Sequence, residues 1–290
     1  MELIRRYGLL LFFVGIPLIP LLAFWFIPMF VSLWLSTTDW DYISPEYSHV
    51  MLENYQTILT SDNFYAALKN TAFFSVMTVI PTIIFGLLFA SLLKNVMKGS
   101  TLLKSLLFSP WITPMVAMSI VWTWIFQPDV GLLNQLLGLL HLPQPSWLTD
   151  SDTAMWSIII VSIWKNAGWA MIFYADALSK IPGELYEVGD IEGTSWWQNS
   201  RFITIPLVSP TTLFLIIISL IDAIQAYDQI QVMTQGGPAG STRTLLYLYY
   251  QMAFEQFNMG QATALSTLIV LLTGVLAFLL FYTSKKWVHY

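Results

Sequence analysis

Two charged residues, Lys165 and Asp222, stand inside long apolar stretches of this sequence. A charge at the centre of an apolar membrane helix costs about 2.5–3.5 kcal/mol on insertion scales, so such residues are functional candidates by default. Ser219 and Gln225 flank Asp222 at intervals of three residues, which places the three on one helix face. The candidate solute-binding residues of the two stretches are Asn166, Trp169, Ser219, Asp222 and Gln225.

These residue types have a chemistry in common. Carboxylate, amide and hydroxyl groups hydrogen-bond the hydroxyls of sugars, and an aromatic plane covers the apolar C–H face of a sugar ring. Another interpretation is that Lys165 and Asp222 pair with each other, or with a partner subunit, to satisfy their burial. An anionic solute would call for a converging cation, and Lys165 is the one intramembrane candidate.

No catalytic or metal-binding pattern accompanies these residues. His49, His141 and His289 lie in different segments without ligand spacing, so no metal site is predicted. The absence of Cys excludes thiolate ligands and cysteine nucleophiles. No nucleophile elbow and no Gly-x-x-x-x-Gly-Lys-Ser/Thr phosphate loop is found in the sequence. The chain is therefore predicted not to be an enzyme, and not to hydrolyse ATP itself.

The elements that position these residues are membrane helices. Hydrophobic residues make up 56% of the 290 residues and charged residues only 10%, which is too few charges for a water-facing surface. Runs long enough for a bilayer, about 20 apolar residues each, lie at 9–35, 70–93, 105–126, 154–175, 205–226 and 262–283. They lack the alternation of barrel strands, so they are predicted to be helices. The fold class is all-α, with six transmembrane helices in a single domain over 1–290.

The distribution of basic residues predicts the orientation. Nine Lys and Arg residues fall on one side of the six spans, whereas the loops of the other side hold only Arg243. The nine are Arg5, Arg6, Lys94, Lys98, Lys104, Lys180, Arg201, Lys285 and Lys286. Because positive residues concentrate in the cytoplasm, both termini are expected there, with an uncleaved first helix and a multi-pass location in the cytoplasmic (inner) membrane.

The segment 179–204, on the predicted cytoplasmic side, does not look like a plain connector. Ser179 is suited to cap a short helix that ends at Gly193, where glycine favours a left-handed conformation. Ser195 and Gln198 have capping-box spacing and open a second short helix. The predicted helix-turn-helix exposes aromatic residues, so a membrane surface or a protein partner must cover it.

Two motifs resemble known proteins. Glu187-Val-Gly-Asp-Ile-Glu-Gly193, followed by Phe202-Ile-Thr-Ile-Pro206, resembles the "EAA" loop of permease subunits in binding-protein-dependent ABC importers. The family pattern is roughly E-A-A-x-x-D-G, so Val188 and Gly189 replace the two alanines and Glu192 replaces the Asp. Met233-Thr-Gln-Gly-Gly-Pro238, with Gly260-Gln-Ala-Thr-Ala264, resembles carbohydrate permeases of the maltose, lactose and glycerol-phosphate type.

The resemblance implies a set of partners. A second homologous permease, two ATPase subunits and an extracytoplasmic solute-binding protein are expected, together with a sugar substrate and membrane lipid but no nucleic acid. No cofactor is expected on this chain, because ATP and Mg belong to the ATPases. The residues implied in ATPase coupling are Glu187, Asp190, Glu192 and Gly193.

Two alternatives remain open at this stage. The first is an importer of glycerol-3-phosphate or its diesters, which belongs to the same class. The second is an ion-driven secondary transporter with Asp222 as its cation site, which would leave residues 184–202 without a role.

Overall fold

The computed structural model describes residues 2–94 and 99–288, with side chains described from Phe12 onward. Within these ranges the chain is helical, and its one β feature is a single bridge between Thr38 and His49. The predicted all-α fold class is confirmed. Lys98, His289 and the side chains of Arg5 and Arg6, which the sequence-based predictions used, lie outside the described residues.

The α-helices follow one another with short connections, and three of them run into π-helical turns. In chain order the helices are α1 (Glu2–Leu21), α2 (Ile27–Leu35), α3 (Glu53–Leu59), α4 (Asp62–Lys94), α5 (Ser100–Ile112), α6 (Met115–Ile125), α7 (Leu132–Leu139), α8 (Ala154–Ser179), α9 (Glu184–Ile191), α10 (Trp196–Asn199), α11 (Ile205–Leu207), α12 (Ser209–Ile224), α13 (Asp228–Met233), α14 (Leu245–Tyr250) and α15 (Met259–Ser284). The π-helical turns are Leu22–Phe26, Ser200–Thr204 and Gln251–Glu255.

Four helical segments are long and apolar enough to cross a membrane. They are Phe12–Leu35, Asp62–Lys94, Ala154–Ser179 and Met259–Ser284. Two bent helix pairs bring the number to six if each pair forms one span: Ser100–Ile112 with Met115–Ile125, and Trp196–Leu207 with Ser209–Ile224. The number of spans and the cytoplasmic position of both termini stay predictions.

The runs 105–126 and 205–226 are helical, as predicted, but each of them is broken into two helices. The first breaks between α5 and α6 with a bend of 98°, and the second breaks between α11 and α12 with a bend of 67°. Thr113 is extended (φ −72°, ψ 134°) because it precedes Pro114, and the residue before a proline disfavours the helical region. In the second run Val208 leaves helical geometry just before Ser209 and Pro210 start α12.

The predicted helix cap at Ser179 is wrong. The apolar run that ends near residue 175 continues as α8 through Ser179, whose hydroxyl donates to the carbonyl of Asp176 at 2.7 Å. The short helix α9 starts at Glu184 instead, after Gly183.

Two compact units are described separately. One combines Tyr65–Leu248 with the residues from Leu272 onward. Its centre is α8, whose buried residues include Ala170, Met171 and Tyr174. Gly168 lies so close to the carbonyl of Leu107 on α5 that a Cβ has no room there. This close approach fixes α5 against α8.

The other unit ends at Phe64 and resumes as Tyr249–Leu271. Buried Asn54 donates from its amide to the carbonyls of Ser36 (2.9 Å) and Thr38 (2.7 Å). The Gly260 N–H donates to the Trp40 carbonyl at 3.0 Å, which anchors the loop after α2 to the start of α15. The loop is therefore a fixed part of this unit rather than a free connector.

Candidate functional site

A cavity of about 470 Å³ opens among helices of the unit that contains α8. Residues of α4, α6, α8 and α12 surround it, together with the start of α13 and Leu246 of α14. The five residues predicted to bind solute, Asn166, Trp169, Ser219, Asp222 and Gln225, all line this cavity. The structure thus brings them together, while their binding role stays a prediction.

The polar side chains of this set are not engaged by the described part of the chain. The side chains of Asn166, Ser219, Asp222 and Gln225 have no hydrogen-bond or ion-pair partner within the described residues. Ser219 and Asp222 lie one turn apart on α12, and Gln225 is the residue that ends this helix. Amide, hydroxyl and carboxylate groups are therefore all available to a solute in the cavity.

Lys165 has a different position from the one that pairing with Asp222 would require. Its ammonium donates to the carbonyls of Pro110 (3.0 Å), Trp111 (3.0 Å) and Thr113 (2.6 Å). Because α5 breaks before Pro114, these carbonyls have no partner in a following turn. A cation at the C-terminus of a helix also offsets the negative end of its dipole. Lys165 thus stabilises the break between α5 and α6.

The ring of Trp169 is partly occupied by other aromatic residues. It stacks on Trp111 with the ring centroids 6.3 Å apart and the planes 15° from parallel. Its ring also packs against the ring of Phe173, with the two centroids 4.9 Å apart. The part of the indole that borders the cavity is therefore held in a fixed orientation, which suits a rigid surface under a sugar ring.

The sequence-based reasoning missed cavity residues on α4 and α13. Thr78 and Thr82 line the cavity, and their hydroxyls are buried without a hydrogen-bond partner in the described part of the chain. Thr71 and Ser75 continue this hydroxyl row at helical spacing. That spacing was a usable signal, but membrane helices often carry such hydroxyls bonded to their own backbone. Asp228 and its neighbour Gln229, also missed, belong to the segment after α12, where no apolar run draws attention to charge.

In the segment 179–204 the predicted turn at Gly193 and the predicted capping box of Ser195 and Gln198 are confirmed. Gly193 has φ +73°, in the left-handed region that glycine favours, and it follows the end of α9. The Thr194 N–H donates to the Gly189 carbonyl at 3.0 Å, which is the six-to-one bond of a Schellman motif. Ser195 and Gln198 form the capping box, with both reciprocal bonds present.

The two short helices of the segment pack closely at one point. Gly189 is buried, and a Cβ at this position would lie 2.7 Å from Oδ1 of Asn199 and 2.8 Å from Oγ1 of Thr194. The hydroxyl of Thr194 donates to Oδ1 of Asn199 at 2.6 Å. Glycine at 189 therefore allows a close contact that the family's usual alanine would crowd.

The outer surface of this segment is apolar and acidic. Glu187, Asp190, Glu192 and Gly193 are all exposed. The exposed fraction is 86% for Ile191, the highest of any large hydrophobic residue in the described part of the chain. Trp196, Trp197 and Phe202 are exposed by 66%, 63% and 70%. Such a patch needs a partner surface.

Tyr186 connects α9 to two other elements of the same unit. Its hydroxyl lies 3.0 Å from the hydroxyl of Thr204, just before α11. The ammonium of Lys94, at the end of α4, lies 4.1 Å from the centre of the Tyr186 ring, within the range of a cation–π interaction. A movement of α9 would therefore be transmitted to the ends of α4 and α11.

No group of three or more His, Asp and Glu residues that could hold a metal ion occurs in the part of the chain that the structure describes.

Comparison with known proteins identifies the class. Residues 82–289 match the family described as "Binding-protein-dependent transport system inner membrane component". The chain is 31% identical over 278 residues to the probable ABC transporter permease protein YurN of Bacillus subtilis, covering 93% of this chain and 95% of that protein. It is 36% identical over 228 residues to the lactose transport system permease protein LacF of Rhizobium radiobacter, covering 77% and 76%. A solved bacterial ABC transporter involved in the import of the acidic polysaccharide alginate has the same fold, with a TM-score of 0.85, 22% identity and 98% of each chain covered.

The protein is thus a permease subunit of the ABC transporter class. It belongs to the family of inner membrane components of binding-protein-dependent transport systems. The resemblance predicted from the EAA-like loop is confirmed, and so is the multi-pass location in the inner membrane. Members of this family are components of transporters rather than enzymes.

Proposed function

We propose that this chain is the permease subunit of an ATP-driven carbohydrate importer. Together with a second related permease it forms the path of the solute across the membrane. Its relatives include a lactose permease. The observation that carries the proposal is the cavity, in which Asn166, Ser219, Asp222 and Gln225 present polar atoms that no described residue satisfies.

The source of energy is a separate chain. The sequence has no phosphate-cradling loop, so ATP and Mg are bound by two partner ATPase subunits. The segment 179–204 is the contact with an ATPase, in which Glu187 accepts charge-assisted hydrogen bonds and the apolar Ile191 enters a groove. A short helix closed by a Schellman turn transmits motion that a flexible loop would absorb.

Solute reaches the path from an extracytoplasmic binding protein. The loop after α2, with Trp40 and its acidic neighbours Asp39 and Asp41, is the contact that we assign to it. Asp41 accepts hydrogen bonds from the N–H groups of Ser44 (2.7 Å) and Ile43 (3.0 Å), and these bonds lower the pKa of its carboxyl group. The loop therefore keeps its charge and shape at neutral pH.

Reconstitution tests this function. The chain is purified from its native membrane with the proteins bound to it, and the complex is placed in proteoliposomes with ATP and the binding protein. We expect uptake of labelled lactose, maltose or a related oligosaccharide that requires ATP. Uptake by the isolated chain in a proton or sodium gradient would instead support the secondary transporter with Asp222 as its cation site.

A further inference from the structure

The charged groups that line the cavity differ in whether the protein already binds them. Among its lining residues only Lys165, Asp222 and Asp228 are charged. An ammonium has three protons to donate, and Lys165 gives one to each of three carbonyls at the end of α5. The cation is therefore already engaged by the protein, whereas neither carboxylate has a partner within the described residues.

The uncharged polar groups support the same conclusion. Thr78 and Thr82 are more than nine-tenths buried and line this cavity, and their hydroxyls have no hydrogen-bond partner among the residues that the structure describes. Together with the amides of Asn166 and Gln225 they offer both donors and acceptors. A solute rich in hydroxyls satisfies such groups without bringing any charge of its own.

We propose that the cavity of this chain selects saccharides without an anionic group and rejects saccharides and polyols that carry a carboxylate or a phosphate. This inference rests on the proposed function and names its substrate class. A carboxylate or phosphate in the cavity meets Asp222 and Asp228, and no described residue of the lining has a free cationic N–H donor to offset them. Hydroxyl and amine groups, in contrast, donate to both carboxylates.

The repulsion is large enough to decide selection. Like charges separated by several ångströms at a protein-like dielectric lower binding by about tenfold or more for each carboxylate. The glycerol-3-phosphate alternative would require Lys165 to release the carbonyls of α5. The cost of leaving these carbonyls without a donor would reduce the gain from the new ion pair.

The first experiment compares matched neutral and anionic solutes. The complete importer is reconstituted with its ATPases and binding protein, and uptake is measured for maltose, lactose and cellobiose and for the aldonates maltobionate, lactobionate and cellobionate. Glycerol-3-phosphate is a further anionic probe. We expect at least one neutral disaccharide to be taken up, at least tenfold faster than its aldonate. ATP-driven uptake of an aldonate or of glycerol-3-phosphate as fast as the neutral sugars would overturn the inference and leave the importer function intact.

Absence of uptake for every probe would argue against the proposed function itself, and the inference would fall with it. The two failures are therefore distinguishable.

The second experiment assigns the selection to this chain. In the double variant Asp222→Asn/Asp228→Asn, the ratio of aldonate uptake to neutral uptake should rise by about tenfold or more. The binding protein is the same in both preparations, so its preference cancels when the variant is compared with the unmodified complex.

Asp152→Asn, which removes an exposed loop carboxylate away from the cavity, is the matched control and should leave the ratio unchanged. If the double variant is not recovered, the two single variants are measured, each with a smaller rise. An unchanged ratio in variants that still transport neutral sugar would overturn the inference.

Discussion

In the cavity, Asn166, Ser219 and Asp222 have polar atoms without partners in the described chain, while the apolar residues around them are packed. In the segment 179–204 the distribution is reversed. Ser195 and Gln198 bond to each other, and the turn at Gly193 is closed by backbone bonds, while the large apolar side chains are exposed. In the cavity, therefore, polar side chains lack hydrogen-bond partners in the described chain. In the segment 179–204, large apolar side chains are exposed instead of packed against other residues.

This difference indicates what each region binds. Unpartnered polar groups in a cavity are satisfied by a small polar solute or by water. An exposed apolar patch on a rigid, internally bonded scaffold is covered by a membrane surface or by a protein. The cavity is thus the candidate site for a solute and the segment 179–204 the candidate surface for a partner, and the predictions below test whether the two can be separated.

The largest effect is expected in the segment 179–204. The double variant Glu187→Ala/Gly193→Val removes an exposed acid and forces a β-branched residue into a left-handed turn. ATP-driven uptake by the complete importer should fall to background, with the chain still present in the membrane. Uptake assays with immunoblotting of the membrane fraction measure both quantities. The control is Asp129→Asn, which changes an exposed acidic residue of another loop. Undiminished uptake by the double variant would count decisively against coupling in this segment.

A loss of stability is expected from Lys165→Met in the cavity wall. The substitution removes three hydrogen bonds to the C-terminal carbonyls of α5 and should destabilise the protein by about 2 kcal/mol or more. Thermal denaturation of the purified complex measures the change. Lys69→Met is the matched control, because Lys69 is exposed and has no bond among the described residues. Equal losses in both variants would show that the bonds to α5 do not hold the break between α5 and α6.

The sequence permitted the prediction of the helical class, the grouping of the polar residues of α8 and α12 that line the cavity, and the turn at Gly193, because each depends on a local pattern. Helical spacing is enough to put Ser219, Asp222 and Gln225 on one face. The hydropathy of an apolar run is the same whether or not its helix is broken, so the bends at Pro114 and Val208 are signalled only by the prolines in the two runs, which allow a kink without fixing its angle. The bonds of Lys165 depend on the break at Pro114, so they could not be predicted.

A moderate effect on solute affinity is expected from Asp222→Asn. The amide can still accept a hydrogen bond, but the charge-assisted bond to a sugar hydroxyl is lost, which lowers affinity by about tenfold. The concentration dependence of uptake should shift accordingly, while thermal stability and the amount of assembled complex stay unchanged. An unchanged concentration dependence and solute profile would remove Asp222 from the site. Asp222→Asn is thus expected to change solute affinity but not stability, whereas Lys165→Met is expected to lower stability.

The smallest effect is expected from Tyr186→Phe, which tests whether the two regions are mechanically connected. The variant loses the bond to Thr204, worth about 1 kcal/mol, but keeps its ring against Lys94. Tyr186→Leu loses both contacts. Because these contacts join α9 to α4 and α11, we expect the number of solute molecules transported per ATP hydrolysed to fall slightly in the first variant and further in the second, with ATP hydrolysis itself maintained. Tyr282→Phe, at an exposed tyrosine, is the control. A parallel fall of uptake and hydrolysis would mean that Tyr186 supports the fold of the segment rather than its connection to the membrane helices.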